Sequence, residues 1–266
     1  MAIVMMLIVR DSWGQEEDVL ALKARLERSN AFHFTLGGGS SLGQNNYKGG
    51  TMVGAGYQKR VNRVLSLGAN VSYTTFRIDY ADFMTGKYFD PKWNNSQPNN
   101  FYYPSDMSEY YLVNLSGGDL SQLYINIPVK VNFIPIKSST VTSFYGIIAP
   151  ALVLSQLDHV LANENYFLHP SPNEYLQEDN RSYQAAPKRS TWTGGAILSV
   201  GVEFFPTNLF SFYLQTSFGY SFPVPFVDTS LYQKHTMQEY LNPNFPLSTQ
   251  KGFSTFNLQM GLSYNF

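Results

Sequence analysis

The chain has 266 residues, a net charge of −1 and a sequence pI of about 6.4, so it lacks the basic surplus that draws a protein to nucleic acid. It contains no cysteine, which excludes disulfides, thiolate metal sites and thiol nucleophiles. Charged residues make up only 14% while aromatics reach 16%, mean hydropathy is −0.20, and no run of about 20 apolar residues offers a membrane-spanning helix.

Residues 2–9 form an apolar stretch too short to cross a bilayer. Ser12-Trp13-Gly14 follows, with small residues at the two positions a signal peptidase reads. A signal peptide over 1–14 is expected, leaving Gln15 as the first mature residue; a buried N-terminal strand or helix is the alternative. Within 15–30, Val19, Leu22 and Leu26 recur at helical spacing behind an acidic first turn, which predicts a short periplasmic helix. A solvated lead-in to the first strand and a plug over the mouth of the following domain are the competing readings.

Beyond residue 30 the chain alternates with period two. Leu123, Ile125, Ile127, Val129, Val131 and Phe133 share one face against Gln122, Tyr124, Asn126, Lys130 and Asn132. In the same way Phe256, Leu258, Met260, Leu262, Tyr264 and Phe266 oppose Thr255, Asn257, Gln259, Gly261, Ser263 and Asn265. Strands are predicted at 31–42, 51–60, 64–77, 121–134, 140–155, 191–205, 209–222 and 252–266. The fifth alternates least clearly, because residues 144–150 are almost continuously apolar.

Connections at 61–63, 135–139 and 206–208 are tight, whereas those at 43–50, 78–120, 156–190 and 223–251 are long, in strict alternation. Short turns at one end and long loops at the other are the mark of a strand-built membrane protein whose alternate residues face lipid. The expected fold is all-β: an eight-stranded antiparallel up-and-down transmembrane β-barrel over 31–266, preceded by the short N-terminal helix. Both termini are expected in the periplasm and the long loops outside the cell.

The segment 31–266 resembles the small bacterial outer-membrane barrels of the OmpA and OmpX type. The stretch Leu123-Tyr124-Ile125-Asn126-Ile127-Pro128-Val129-Lys130 is similar to a Pro- and Lys-bearing strand common in PorT-like barrels of Bacteroidota, and Gln15 is similar to that phylum's export signals. The resemblance implies outer-membrane lipid and lipopolysaccharide as surroundings. It also implies that Phe266, an aromatic residue closing an alternating strand, is a signal to the barrel-assembly machinery.

No catalytic constellation stands out. His33, His159, His169 and His235 fall in no metal-binding spacing, and no metal or cofactor is expected. Asp79, Asp82 and the Asp158-His159 pair lie near the predicted loop-side rim, where a lipid- or peptide-modifying enzyme would place its site; acidic loop residues are more commonly solvated. An eight-stranded lumen is just wide enough for side chains to fill, and Arg60, Asn126, Lys130, Glu203 and Gln259 are expected to form a polar network inside it, with Lys130 and Arg60 sharing Glu203. A narrow pore is the alternative to a filled core. The long loops at 78–120, 156–190 and 223–251 are the candidate surface for a protein partner. In the first of these Tyr88, Phe89, Trp93, Phe101, Tyr102 and Tyr103 combine contact area with neighbouring polar groups, as recognition surfaces do; a self-packed cap is the other reading. The sequence therefore points to a non-enzymatic outer-membrane barrel, serving as an anchor with binding loops or as a subunit of an assembly such as a secretion apparatus.

Overall fold

The computed structural model describes residues 28–43, 47–80, 88–89, 109–136, 140–171, 174–228 and 247–266. Residues 1–27, with the expected signal peptide and most of the expected helix, lie outside these residues; the two that follow are not helical and lead into the first strand.

The elements in chain order are β1 (Asn30–Leu42), β2 (Tyr47–Lys48), β3 (Gly50–Arg60), β4 (Leu65–Ile78), β5 (Tyr88–Phe89), β6 (Glu109–Gly117), β7 (Leu120–Asn126), β8 (Val129–Asn132), β9 (Thr142–Leu157), β10 (Val160–Ser171), β11 (Glu174–Ala186), β12 (Arg189–Phe204), β13 (Phe210–Val227) and β14 (Ser248–Asn265). Counting β7 and β8 as one broken strand, eight strands pair antiparallel in chain order. The sheet closes on itself, because β14 pairs β1 as well as β13. The remaining contacts run β1–β3, β3–β4, β4 to β7 and β8, these to β9, β9–β12 and β12–β13. Closure leaves no free edge in the wall. The fold is thus the eight-stranded antiparallel barrel the alternation predicts.

The structure departs from the sequence reading in three main respects. The fourth strand is interrupted at Ile127–Pro128, because proline has no N–H to donate. The Pro128 carbonyl still accepts from Gly68 N at 3.0 Å, and Ile127 N donates to the Pro150 carbonyl at 3.2 Å. Strands β12, β13 and β14 begin earlier or end later than predicted, so the connection between the last two is shorter than 223–251. The segment 156–190 is for the most part not a loop: it forms β10 and β11.

The wall is apolar outside and polar inside. Phe34, Leu36, Val71, Ile125, Ile148, Leu198, Val200, Leu214, Leu258 and Met260 face outward and exposed, while Thr35, Ser72, Asn126, Ser199, Ser217, Asn257 and Gln259 are buried. In water such a distribution would be destabilising; in lipid it removes the exposed belt from water and keeps every wall hydrogen bond internal. At the tight-turn end a ring of aromatics marks one rim of the belt. Phe266 stacks on Phe32 with centroids 5.2 Å apart, Phe32 leans on Tyr57 at 5.5 Å, and Phe210 on Tyr264 at 5.4 Å. The first and last strands meet at this end, where Asn30 and Phe266 exchange backbone hydrogen bonds.

Candidate functional site

Two of the long connections join into one sheet. Strand β6 from the first pairs β10 from the second through nine residue pairs, from Val160↔Gly117 to Leu168↔Glu109. Strand β11 pairs the far side of β10, and β5 pairs β6 through Tyr88↔Leu112 and Phe89↔Tyr111. The order β11-β10-β6-β5 continues the wall strands β12, β9 and β7 beyond the barrel rim.

The junction between wall and sheet is a bend built on glycine. Gly117 and Gly118 have φ of 80° and 78°, in the left-handed region that side chains disfavour. A Cβ on Gly117 would lie 2.2 Å from the His159 carbonyl oxygen. Hydrogen bonds hold the turn: Gly118 N donates to His159 O at 3.0 Å and Asp158 N to Asp119 O at 2.9 Å. Two phenols brace it, with Tyr80 donating to Gly117 O at 3.1 Å and Tyr47 to Gly118 O at 3.3 Å. Tyr47 also accepts from Val227 N at 2.8 Å, tying the bend to the end of β13. Burial pushes the Tyr47 phenol up from its usual pKa.

Beneath the bend the barrel mouth is filled by an apolar core of Phe76, Leu120, Leu157, Val160, Val224, Phe226, Leu247 and Phe253, with Tyr47 among them. Phe253 packs edge-on against both Phe76 and Tyr47. The sequence reading had the whole interior polar. Val224, Phe226 and Leu247 fall in one predicted loop and Leu157 and Val160 in another, so alternation carries no signal of this core. Lys251 bonds Asp228 at 3.1 Å across the ends of β13 and β14.

Deeper in, the lumen is polar and layered. Gln122 bridges the barrel, donating to Ser155 Oγ at 3.0 Å and Ser221 Oγ at 3.2 Å while accepting from Tyr124 at 2.8 Å. Gln259 donates to Ser217 at 2.6 Å and accepts from Gln215, which accepts from Tyr145 in turn. Toward the tight-turn end Lys130 and Glu203 form a buried ion pair. The Glu203 carboxylate accepts a further bond from Ser211, and the Lys130 ammonium lies 4.1 Å from the Tyr145 ring centroid. Arg60 lines the same small cavity as both of them. Glycines opposite large side chains let this network fit: a Cβ on Gly261 would lie 2.2 Å from the Tyr213 ring, and one on Gly56 would lie 2.6 Å from His33.

No protein-family model and no curated protein sequence matches the chain. Among solved structures it is similar to Neisserial surface protein A, at 11% identity and a TM-score of 0.46, over 89% of this chain and 97% of that one. It is also similar to Ail, the attachment invasion locus protein of Yersinia pestis, at 9% identity and a TM-score of 0.40 (90% and 99% covered), and to the outer membrane protease OmpT from Escherichia coli, at 9% and 0.35 (91% and 97% covered). Likenesses this faint carry no weight for activity or partners. The barrel stands on its own closed pairing.

Of the candidate recognition residues, Tyr88 and Phe89 lie on β5, within the loop-end sheet. Trp93, Phe101, Tyr102 and Tyr103 lie outside the described residues. Two of the rim carboxylates are engaged locally: Asp79 pairs with Lys48, and Asp158 accepts from the backbone N and ring of its own neighbour His159, both at 2.9 Å; Asp82 lies outside the described residues. That backbone bond, with the imidazole beside it, holds the Asp158 carboxyl below its usual pKa. The pair thus terminates β9 as a turn. His33 faces the lumen and lines its central cavity. Among the described residues no three His, Asp or Glu gather as metal ligands.

Proposed function

We propose that this protein is a non-enzymatic outer-membrane barrel of a Gram-negative bacterium. In this reading the wall serves as an anchor and the loop-end sheet binds a protein partner. The single observation that carries this reading is the β6–β10 register, which joins residues from two separate connections into one ordered platform. A platform held in advance loses less conformational entropy on binding than two independent loops would. The glycine bend and its two tyrosine braces attach that platform to the wall. On this reading the tight turns and both termini lie in the periplasm, and Phe266 is read by the barrel-assembly machinery. The likeness of residues 123–130 to PorT-like barrels of Bacteroidota supports the more specific proposal of a subunit in a secretion apparatus.

The test removes the platform and keeps the bend. Asn163 and Ser182 are directly opposed on β10 and β11 and joined by a side-chain hydrogen bond of 2.7 Å. Replacing residues 164–181 by Asn-Gly should close them as a two-residue hairpin. The variant is expected to remain a heat-modifiable barrel at the cell surface while losing the protein that co-purifies with the full chain in mild detergent. Unchanged co-purification would move recognition elsewhere. For orientation, an epitope tag between Asn99 and Asn100 should be read on intact cells, and one between Pro206 and Thr207 only after permeabilisation; the reverse result would invert the topology.

A further inference from the structure

The lumen contains a cavity of about 60 Å³ to which every strand of the wall contributes, lined by residues including His33, Asn70, Ser72, Asn126, Ser199 and Gln215. Three buried polar atoms at this cavity have no hydrogen-bond partner within the protein: Ser72 Oγ, Asn126 Nδ2 and Ser199 Oγ. They come from three different strands, β4, β7 and β12, and together they offer acceptors and donors around one space. Leaving each unsatisfied would cost about 1–3 kcal/mol, which is large beside the marginal stability of a folded chain. At roughly 15 Å³ per water, the cavity has room for about four molecules.

The two ends of this space differ. Toward the tight turns lies a smaller cavity of about 20 Å³ that shares Gln58 and Lys130 with the first and reaches Arg28, Ser29 and Asn30 at the rim. Toward the loop end the Gln122–Ser155–Ser221–Tyr124 layer crosses the lumen, and above it Phe76, Leu120, Leu157, Phe226 and Phe253 are fully buried. Polar side chains, the Lys130–Glu203 pair among them, line the lower cavity, and an apolar layer several side chains thick stands above. Narrow apolar constrictions exclude water and ions.

We propose that this cavity is a blind, hydrated vestibule that exchanges water and small ions with the tight-turn side only. Water there satisfies Ser72, Asn126 and Ser199, and the apolar core at the loop end closes the barrel to conduction. This stands apart from the recognition reading, since it concerns the lumen and holds for either orientation in the membrane.

The cysteine-free sequence makes a direct test available. Ser199→Cys places one thiol at the cavity with little change of volume, and Ser72→Cys is a second variant should the first fail to fold, as judged by heat-modifiable mobility. Thr207→Cys in a tight turn reports which face of a proteoliposome is which. Silver ion is applied to one side in a chloride-free buffer, the protein is then denatured, and the remaining thiol is labelled with a fluorescent maleimide. The expected result is loss of labelling at the cavity thiol when silver is on the tight-turn side, and full labelling when it is on the loop side. Full labelling with silver on either side would mean a sealed, dry cavity and would overturn the proposal. Loss from the loop side would mean a pore or a path through the apolar core, and would overturn it equally.

Discussion

Replacing Glu203 should be among the most damaging single changes in the wall, and its partner can show why. The Lys130 and Glu203 side chains are 9% and 8% exposed and in direct contact. Glu203→Leu removes the carboxylate and leaves the ammonium buried, with its contact to the Tyr145 ring as weak compensation. Breaking a buried pair this way costs about 3–5 kcal/mol, whereas replacing both partners with apolar groups of similar volume is often close to neutral. Glu203→Leu is therefore expected to lose about 3–5 kcal/mol and Lys130→Met a similar amount, while the double variant recovers most of it. The measurement is a urea titration in detergent micelles, followed by heat-modifiable mobility and by tryptophan fluorescence, with all four proteins compared as a double-mutant cycle. If the single variants lost less than about 1 kcal/mol, the pair would have to behave as a solvated surface bridge. If the double variant lost the sum of the two, the side chains would be acting independently. Either result would refute the coupling.

Ile127 faces outward and is 62% exposed while Asn126 is 3% exposed, so Ile127→Arg should cost about 2–4 kcal/mol from burying charge in lipid. Asn126→Arg puts its charge in a polar though crowded lumen, and folding yields in micelles against lipid vesicles compare them: only the Ile127 variant should be worse in lipid than in micelles. Gly117→Val should loosen the loop-end sheet while the barrel stays heat-modifiable, because the left-handed backbone alone costs about 1–2 kcal/mol and a Cβ would also meet the His159 carbonyl; faster proteolysis within 109–186 is the expected readout. Phe253→Ala should cost about 3–5 kcal/mol by opening a cavity in the loop-end core, seen as a lower urea midpoint. An unchanged midpoint would show that the mouth is held chiefly by its hydrogen bonds.

The alternation of apolar and polar residues was sufficient to locate all eight wall strands and to sort Ile125 and Ile127 from Asn126 and Lys130. Each side chain's face follows from its parity in the strand, and a bilayer outside makes the two faces chemically unlike. Even the fifth strand, whose run of apolar residues blurs the pattern, is one continuous element. Parity also placed Lys130 and Glu203 on the inner face. That they touch, and that Gln122 reaches Ser155 and Ser221, was decided by strand register around a closed wall, which joins residues far apart in the chain. The loop-end sheet was illegible for the same reason. Residues in β6 find partners in β10 only after the wall has set β7 beside β9, and the glycines that permit the bend look in sequence like ordinary loop glycines. The apolar core at the mouth was hidden likewise, since Phe76 and Phe253 follow the inward parity that elsewhere in the wall carries Ser, Asn and Gln, and Leu157 falls in a predicted loop. Local pattern thus determined which face each residue presents. Tertiary structure decided which residues meet, because contacts between distant segments depend on closure and register rather than on neighbours in the chain.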